Sequence, residues 1–194
     1  LYENNGVLKR DQVSDYLKKL GQEERKILRD LGVKFGRYHI FLFKLFKPSS
    51  VSLRILLWKC FNNEFLTLSP PTFGLNFLDG MKSANKDFML LCGFEKFDDI
   101  YVRIDILERL FLLIFNSEKD EKKEVKVIPQ MINLLGCTKE NFKKLLKNMD
   151  YKIFEKENDL YIKYSPTRKK NLIKKDKKDY SNNPFNILNQ LNIK

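Results

Sequence analysis

The feature that most constrains the fold is a regular apolar spacing in the last third of the chain. Between residues 139 and 149, apolar side chains recur at intervals of three and four residues, which places them on one face of a helix. These residues are Phe142, Leu145, Leu146 and Met149. Thr138 is a suitable N-cap for that helix. Downstream, residues 151–155 and 160–164 flank a polar turn, and this pattern predicts a β-hairpin.

The segments before this helix predict a specific order of elements. Residues 106–115 have the spacing of a buried helix, and residues 125–128 have the composition of a strand. Pro129 favours the start of a short helix, and Gly136 favours its end. The order is then helix, strand, helix, turn, helix and hairpin, which is that of a winged helix-turn-helix. We therefore predict a winged-helix-like subdomain over residues 81–164.

The N-terminal part of the chain predicts a helical subdomain over residues 1–64. Residues 10–20 have apolar side chains at helical spacing, a second helix should end at Gly32, and Pro48 should begin a third. The stretch 33–42 has no helical period and is expected to form a turn and an extended segment. The predicted fold class is thus mainly α with a small β component.

Two further segments are expected to be irregular. Residues 65–80 are predicted to connect the subdomains, because two prolines and two glycines interrupt any regular element there. Residues 165–194 contain too few apolar groups to offset the entropy of ordering, so we predict a flexible basic tail.

The net charge of +12 points to a polyanionic partner. The excess is concentrated at the two ends, since residues 1–64 and 165–194 each carry six more basic than acidic side chains. Residues 65–116, by contrast, hold five basic and seven acidic groups. RNA or DNA is therefore the expected partner.

Composition also bears on the cellular location. No apolar run reaches the roughly 18 residues of a membrane span, because charged residues interrupt the richest stretch at Asp105 and Glu108. We therefore expect no membrane partner. Three cysteines at wide spacings fit a reducing compartment, which predicts a cytoplasmic protein. Leu1 is not an initiator methionine, so we expect the natural protein to begin upstream.

The motifs that would predict catalysis are missing from the sequence. None of the eight glycines is followed by lysine, as a phosphate-binding Gly-x-x-x-x-Gly-Lys loop requires. The one histidine, His39, has apolar neighbours and no nucleophile elbow accompanies it, so we interpret it as a packed residue. The cysteines Cys60, Cys92 and Cys137 are too far apart for a zinc site on one loop and are predicted to lie in the core. We predict no cofactor and no metal.

A third alternative is a metal-dependent nuclease. Four acidic residues lie near one another in the sequence: Asp98, Asp99, Asp105 and Glu108. Asp105 is instead well placed to cap the following helix, and we expect it to do so.

Lysine placement supports nucleic-acid binding by the second helix of the helix-turn-helix. The predicted contacts lie on the outer face of that helix, on the hairpin and in the tail. They are Lys139, Lys143, Lys144, Lys147, Lys156, Lys163, Arg168, Lys169 and Lys170. Because lysine predominates over base-reading Arg, Asn and Gln, contact with phosphates and little sequence preference are expected.

Several blocks resemble the C-terminal region of alphaproteobacterial superfamily-two ATP-dependent helicases, which are similar to the RNA helicase of the mitochondrial degradosome. The blocks are residues 31–41 (LGVKFGRYHIF), 47–48 (KP), 53–58 (LRILLW), 102–110 (VRIDILERL), 134–137 (LLGC) and 184–185 (PF). The resemblance implies a motor upstream of Leu1, so that this chain would be an accessory, non-catalytic region. The alternative is a protein-interaction module that docks the helicase core or a nuclease through Phe41, Phe43, Phe46 and Trp58.

Overall fold

The computed structural model describes residues 1, 4, 6–62, 68–81, 85–117, 124–156 and 159–166. These residues fall into two compact units. The first contains residues 1–71 and 91–93, and the second contains residues 72–90 and 94–166, in each case over the described positions. The predicted tail, apart from residues 165 and 166, lies outside the described residues.

A three-stranded antiparallel sheet forms the centre of the first unit. Its strands are β1 (Val7–Lys9), β2 (Val33–Phe35) and β3 (His39–Leu42), in the order β1-β3-β2. β-branched and aromatic residues favour this extended backbone. In the central strand, His39, Ile40 and Phe41 are all buried, so the expectation of a packed histidine is confirmed.

Three helices complete the described part of the first unit: α1 (Ser14–Lys19), α2 (Gln22–Asp30) and α3 (Pro48–Asn62). Short 3₁₀ turns at Arg10–Val13 and Phe43–Phe46 precede α1 and α3. Neither α1 nor α2 buries any residue, and Tyr16 is 72% exposed. The expected apolar face of residues 10–20 is therefore only partly buried, since Val13, Leu17 and Leu20 are intermediate in exposure.

The second unit contains two more antiparallel sheets. In the first of these, β4 (Phe77–Leu78), β5 (Phe94–Phe97) and β6 (Ile100–Arg103) lie in the order β4-β6-β5. α4 (Lys86–Leu91) precedes β5, and α5 (Ile104–Asn116) follows β6. Ile100, Tyr101 and Val102 are completely buried.

The remaining sheet contains β7 (Val125–Lys126), β8 (Tyr151–Lys156) and β9 (Asp159–Tyr164), in the order β7-β9-β8. Between β7 and β8 lie α6 (Pro129–Leu135) and α7 (Lys139–Asn148). α6 ends at Gly136 in the left-handed conformation, with φ at 67°. Thr138 then caps α7 by accepting a hydrogen bond from the Asn141 backbone N–H.

The predicted helix and hairpin of this region are confirmed at the level of single elements. α7 buries Phe142, Leu145 and Leu146, and β8 pairs with β9 from Tyr151 opposite Tyr164 to Lys156 opposite Asp159. The helical spacing from Phe142 to Met149, together with the N-cap at Thr138, was sufficient to identify this helix.

The predicted fold class is nevertheless wrong. Helices make up 51% and strands 23% of the described residues, and three small antiparallel sheets make the chain mixed α/β. The segment 1–64 is not a helical subdomain, because β1, β2 and β3 form its centre. The winged-helix-like assignment of 81–164 is also withdrawn, because this stretch contributes strands to two separate sheets. Strands of two to four residues are too short for apolar spacing to reveal.

Among the described residues, no helix combines the length and the apolarity that crossing a membrane would require.

Candidate functional site

The lysines of α7 occupy two different environments. Lys144 and Lys147 are exposed, and they lie on the side opposite the buried Phe142 and Leu145. Lys143 is only partly exposed, because it donates a hydrogen bond to Glu155 on β8. The sequence predicted one continuous basic face, whereas the structure places Lys143 against an acid.

Glu155 neutralises part of the predicted basic face. The hydrogen bond from Lys143 lowers the pKa of Glu155, and the nearby charge of Lys139 lowers it further. The carboxylate therefore stays ionised at neutral pH and offsets positive charge at this end of α7. Lys144 and Lys147 are the α7 lysines best placed to meet an external anion.

The strand register defines a second basic surface, on the hairpin. Alternate residues of a strand point to opposite faces, and cross-strand partners share a face. Lys152 lies opposite Lys163, and Phe154 lies opposite Tyr161. The intervening Ile162 is completely buried, so these two pairs face away from the core.

We define the outer sheet face as Lys126, Lys152, Phe154, Tyr161 and Lys163. Lys126 joins it because β7 pairs with β9 so that Lys126 lies opposite Tyr161. The two aromatic rings are partly exposed. The surface thus places partly exposed rings between lysines.

Acidic residues neutralise one end of the outer sheet face and not the other. Near the hairpin turn, Lys126 forms an ion pair with Asp159, and Lys156 forms one with Glu124. Lys156 also lies 5.3 Å from the centre of the Tyr161 ring. At the opposite end, neither Lys152 nor Lys163 has an ion-pair partner among the residues that the structure describes.

Of the residues on this side of the hairpin, Lys156 and Lys163 were predicted from the sequence, whereas Lys126, Lys152, Phe154 and Tyr161 were not. One signal was available, since Lys152, Phe154 and Lys156 alternate with the core-facing positions of the same strand. The register that joins them to Lys163 and Tyr161 could not be read from the sequence. Arg168, Lys169 and Lys170 lie outside the described residues.

The residues considered for catalysis or metal binding are dispersed or already paired. The described residues contain no group of three His, Cys, Asp or Glu side chains arranged to hold a metal ion. Asp105 does not cap α5, because both of its oxygens accept hydrogen bonds from Arg103, at 2.8 and 2.6 Å. Cys92 is buried as predicted, whereas Cys60 is exposed and so does not belong to the core.

The four aromatic residues of the protein-docking alternative do not form one surface. Phe41 and Phe46 are buried and pack edge to face, with ring centres 5.2 Å apart. Phe43 is exposed, and Trp58 is partly buried. A row of exposed apolar side chains lies instead on α3, at Leu53, Leu56, Leu57 and Phe61.

No family model, curated protein or solved structure matches this chain.

Proposed function

We propose that this chain is a nucleic-acid-binding region that holds single strands on its outer sheet face. The observation that carries the proposal is the register that places the Lys152–Lys163 pair beside the Phe154–Tyr161 pair. In this role the chain would act beside an upstream helicase motor and would not itself catalyse a reaction. The helicase part of the proposal is supported by the sequence resemblance alone.

The lysine pair supports phosphate binding. Two like charges directly opposite each other across a strand pair repel and destabilise the sheet. A phosphate between Lys152 and Lys163 would remove that repulsion and accept a charge-assisted hydrogen bond from each ammonium group. We therefore expect the phosphate backbone of the nucleic acid to bind at the Lys152–Lys163 end of the outer sheet face.

The aromatic pair supports a single strand over a duplex. Bases of a single strand can stack on exposed rings, whereas the bases of a duplex already stack on each other. Phe154 and Tyr161 lie two residues from the lysines along each strand, at a distance of about 7 Å. The outer sheet face can thus contact the phosphate backbone and the bases of one nucleic-acid strand at the same time.

Low sequence selectivity follows from the same residues. Stacking accepts every base, and lysine contacts phosphates without reading base edges. Lys144 and Lys147 on α7 provide further positive charge, while Lys139 and Lys143 lie beside Glu155. We expect affinity to depend on length and salt more than on sequence.

Fluorescence anisotropy of the whole chain with labelled single- and double-stranded RNA and DNA tests the proposal. Binding should be tightest for single strands and should weaken steeply as salt is raised. Replacing both Lys152 and Lys163 by Glu should abolish it. The control is the Lys34→Glu, Lys18→Glu double variant, which makes the same change in net charge at exposed positions of the first unit. Equal loss in both variants would mean that net charge alone attracts the nucleic acid.

A second candidate function is protein docking, which the exposed apolar row on α3 favours. Leu53 and Leu56 are each more than half exposed, and α3 contains no acidic residue. A partner with an apolar groove and an acidic rim, on the upstream motor, would complement that surface. Replacing Leu53 and Leu57 by Ser should then prevent binding to the motor and leave nucleic-acid binding unchanged, whereas the lysine reversals should do the opposite.

The proposed location is the cytoplasm. All three cysteines are free thiols, which is the state expected in a reducing compartment.

A further inference from the structure

One edge of a buried guanidinium in the first unit has no partner. Arg54 lies on the buried side of α3 and is 6% exposed. Its Nη1 donates a hydrogen bond to the Leu45 carbonyl oxygen at 3.1 Å. Its Nε and Nη2 are inaccessible to solvent and have no hydrogen-bond partner among the described residues.

The two unpartnered nitrogens form the edge of a guanidinium that binds two oxygens at once. Arg103 uses this edge in the same protein, where its Nε and Nη2 each donate to one oxygen of Asp105. The Nε and Nη2 of Arg54 are therefore arranged to donate to both oxygens of a carboxylate or to two oxygens of a phosphate.

No acidic group among the described residues compensates the charge of Arg54. Burial lowers its pKa to about 10, so the group remains protonated at neutral pH. The residue that interacts with it electrostatically is Cys92, and burial raises the pKa of that thiol to about 12. A neutral thiol cannot balance a guanidinium, and a second cation, Lys59, also acts on Cys92. A buried charge in this situation requires an opposite charge.

Access to the Nε–Nη2 edge of Arg54 limits the size of the ligand that can bind there. Residues 91–93 belong to the first unit, and Gly93 lies against the ring of Phe46, where a Cβ would come within 2.8 Å of two ring atoms. Because Nε and Nη2 of Arg54 are themselves inaccessible to solvent, only a small group is expected to reach them. A small anion could reach Nε and Nη2 through local opening of the structure.

We propose that the Nε–Nη2 edge of Arg54 binds a small oxyanion, through a carboxylate or a phosphate group. This site is separate from the outer sheet face, since Arg54 and Cys92 lie in the first unit and β8 and β9 in the second. The proposal does not depend on nucleic-acid binding by the hairpin.

Thermal unfolding of the whole chain, in sodium phosphate and in sodium acetate against sodium chloride of equal ionic strength, tests this inference. Binding to the folded state alone raises Tm as ligand is added. Phosphate or acetate should therefore raise Tm above the chloride value. The effect of a bound anion should depend on Arg54, whereas the general stabilisation that phosphate gives by exclusion from protein surfaces should not. Equal Tm values in all three salts would overturn the proposal.

Variants then locate the effect. Arg54→Lys keeps the charge but lacks the planar edge, so the anion concentration for half the effect should rise about tenfold or more. Arg109→Lys, at an exposed position of the second unit, is the matched control and should behave as the unchanged chain does. An undiminished anion effect in Arg54→Lys would contradict the assignment.

A measurement on the unchanged chain covers the case in which Arg54→Lys does not fold. In a ¹H–¹⁵N spectrum, the Nε–H signal of Arg54 should shift on addition of the effective anion, because that proton becomes a donor to it. Stabilisation without a shift of this signal would show that the anion binds elsewhere and would overturn the proposal.

Discussion

Lys152 of β8 and Lys163 of β9 lie directly opposite each other in the hairpin, and neither forms an ion pair with a described residue. The next pair on this face, Phe154 and Tyr161, is aromatic. The two pairs together combine repelling cations with flat apolar surfaces. That combination is the physical basis of the proposed nucleic-acid binding, and it can be tested one component at a time.

Neutralising the lysine pair should change the salt dependence of binding. Each lysine that contacts a phosphate contributes about 0.7 to the slope of log K against log salt for single strands. The double variant Lys152→Gln, Lys163→Gln should therefore lower the slope by about 1.4, as measured by anisotropy over a salt series. An unchanged slope would show that neither lysine contacts the backbone.

Removing the rings should weaken binding of single strands selectively. Loss of one stacked base costs about 1–3 kcal/mol, so Phe154→Ala and Tyr161→Ala should each weaken single-strand binding by roughly tenfold. Duplex binding should change little. Phe43→Ala removes an exposed ring from the first unit and should have no effect on either.

Removing the charge of Glu155 should strengthen binding. The Glu155→Gln variant leaves Lys143 and Lys139 without the carboxylate that neutralises them. We expect affinity for single strands to rise about twofold to fivefold at low salt, and the gain to vanish at high salt. Glu23→Gln makes the same change in net charge at an exposed position of α2, in the first unit. An equal gain in that control would attribute the effect to total charge.

Two glycine substitutions separate backbone strain from steric overlap. Gly93 and Gly74 have φ of 91° and 96°, a region that disfavours any Cβ by about 1–2 kcal/mol. A Cβ at Gly74 would meet nothing, whereas one at Gly93 would lie 2.8 Å from the Phe46 ring. Overpacking adds about 1–3 kcal/mol, so Gly93→Ala should be the more destabilising by that amount in chemical denaturation. Equal losses would contradict the packing of residues 91–93 against the first unit.

The thiols of Cys60 and Cys92 should differ in reactivity. Cys60 is exposed and should react with iodoacetamide at neutral pH, whereas the buried Cys92 should react only on unfolding. Alkylation of Cys92 at the rate of Cys60 would contradict its burial.

Burial raises the pKa of Cys92 from 9.0 to about 12. The stability that depends on its protonated form is therefore complete below pH 9 and is lost as pH rises towards 12. Between those pH values, the free energy of unfolding should decline less in the Cys92→Ser variant than in the unchanged chain, as measured by chemical denaturation.

Long periodic segments could be predicted from the sequence because their own residues specify them. Phe142, Leu145, Leu146 and Met149 recur at helical spacing, and Thr138 supplies a cap that needs no distant partner. The hairpin was likewise visible, since its strands are six residues long and adjacent in sequence. Lysine content was sufficient to predict a basic surface, but not which lysines an acid would neutralise.

The tertiary structure decided what local pattern could not. Strands as short as Val7–Lys9 become part of a sheet only when a distant strand, here His39–Leu42, pairs with them, and this pairing changed the fold class from mainly α to mixed α/β. Lys143 meets Glu155 because α7 lies beside β8, and Lys152 meets Lys163 because of strand register. Burial similarly left Arg54 with an unpartnered edge beside a neutral thiol. The sequence alone determined which elements could form and how much charge they carry, whereas pairing and burial, which depend on residues far apart in the chain, decided which charges are left for a ligand.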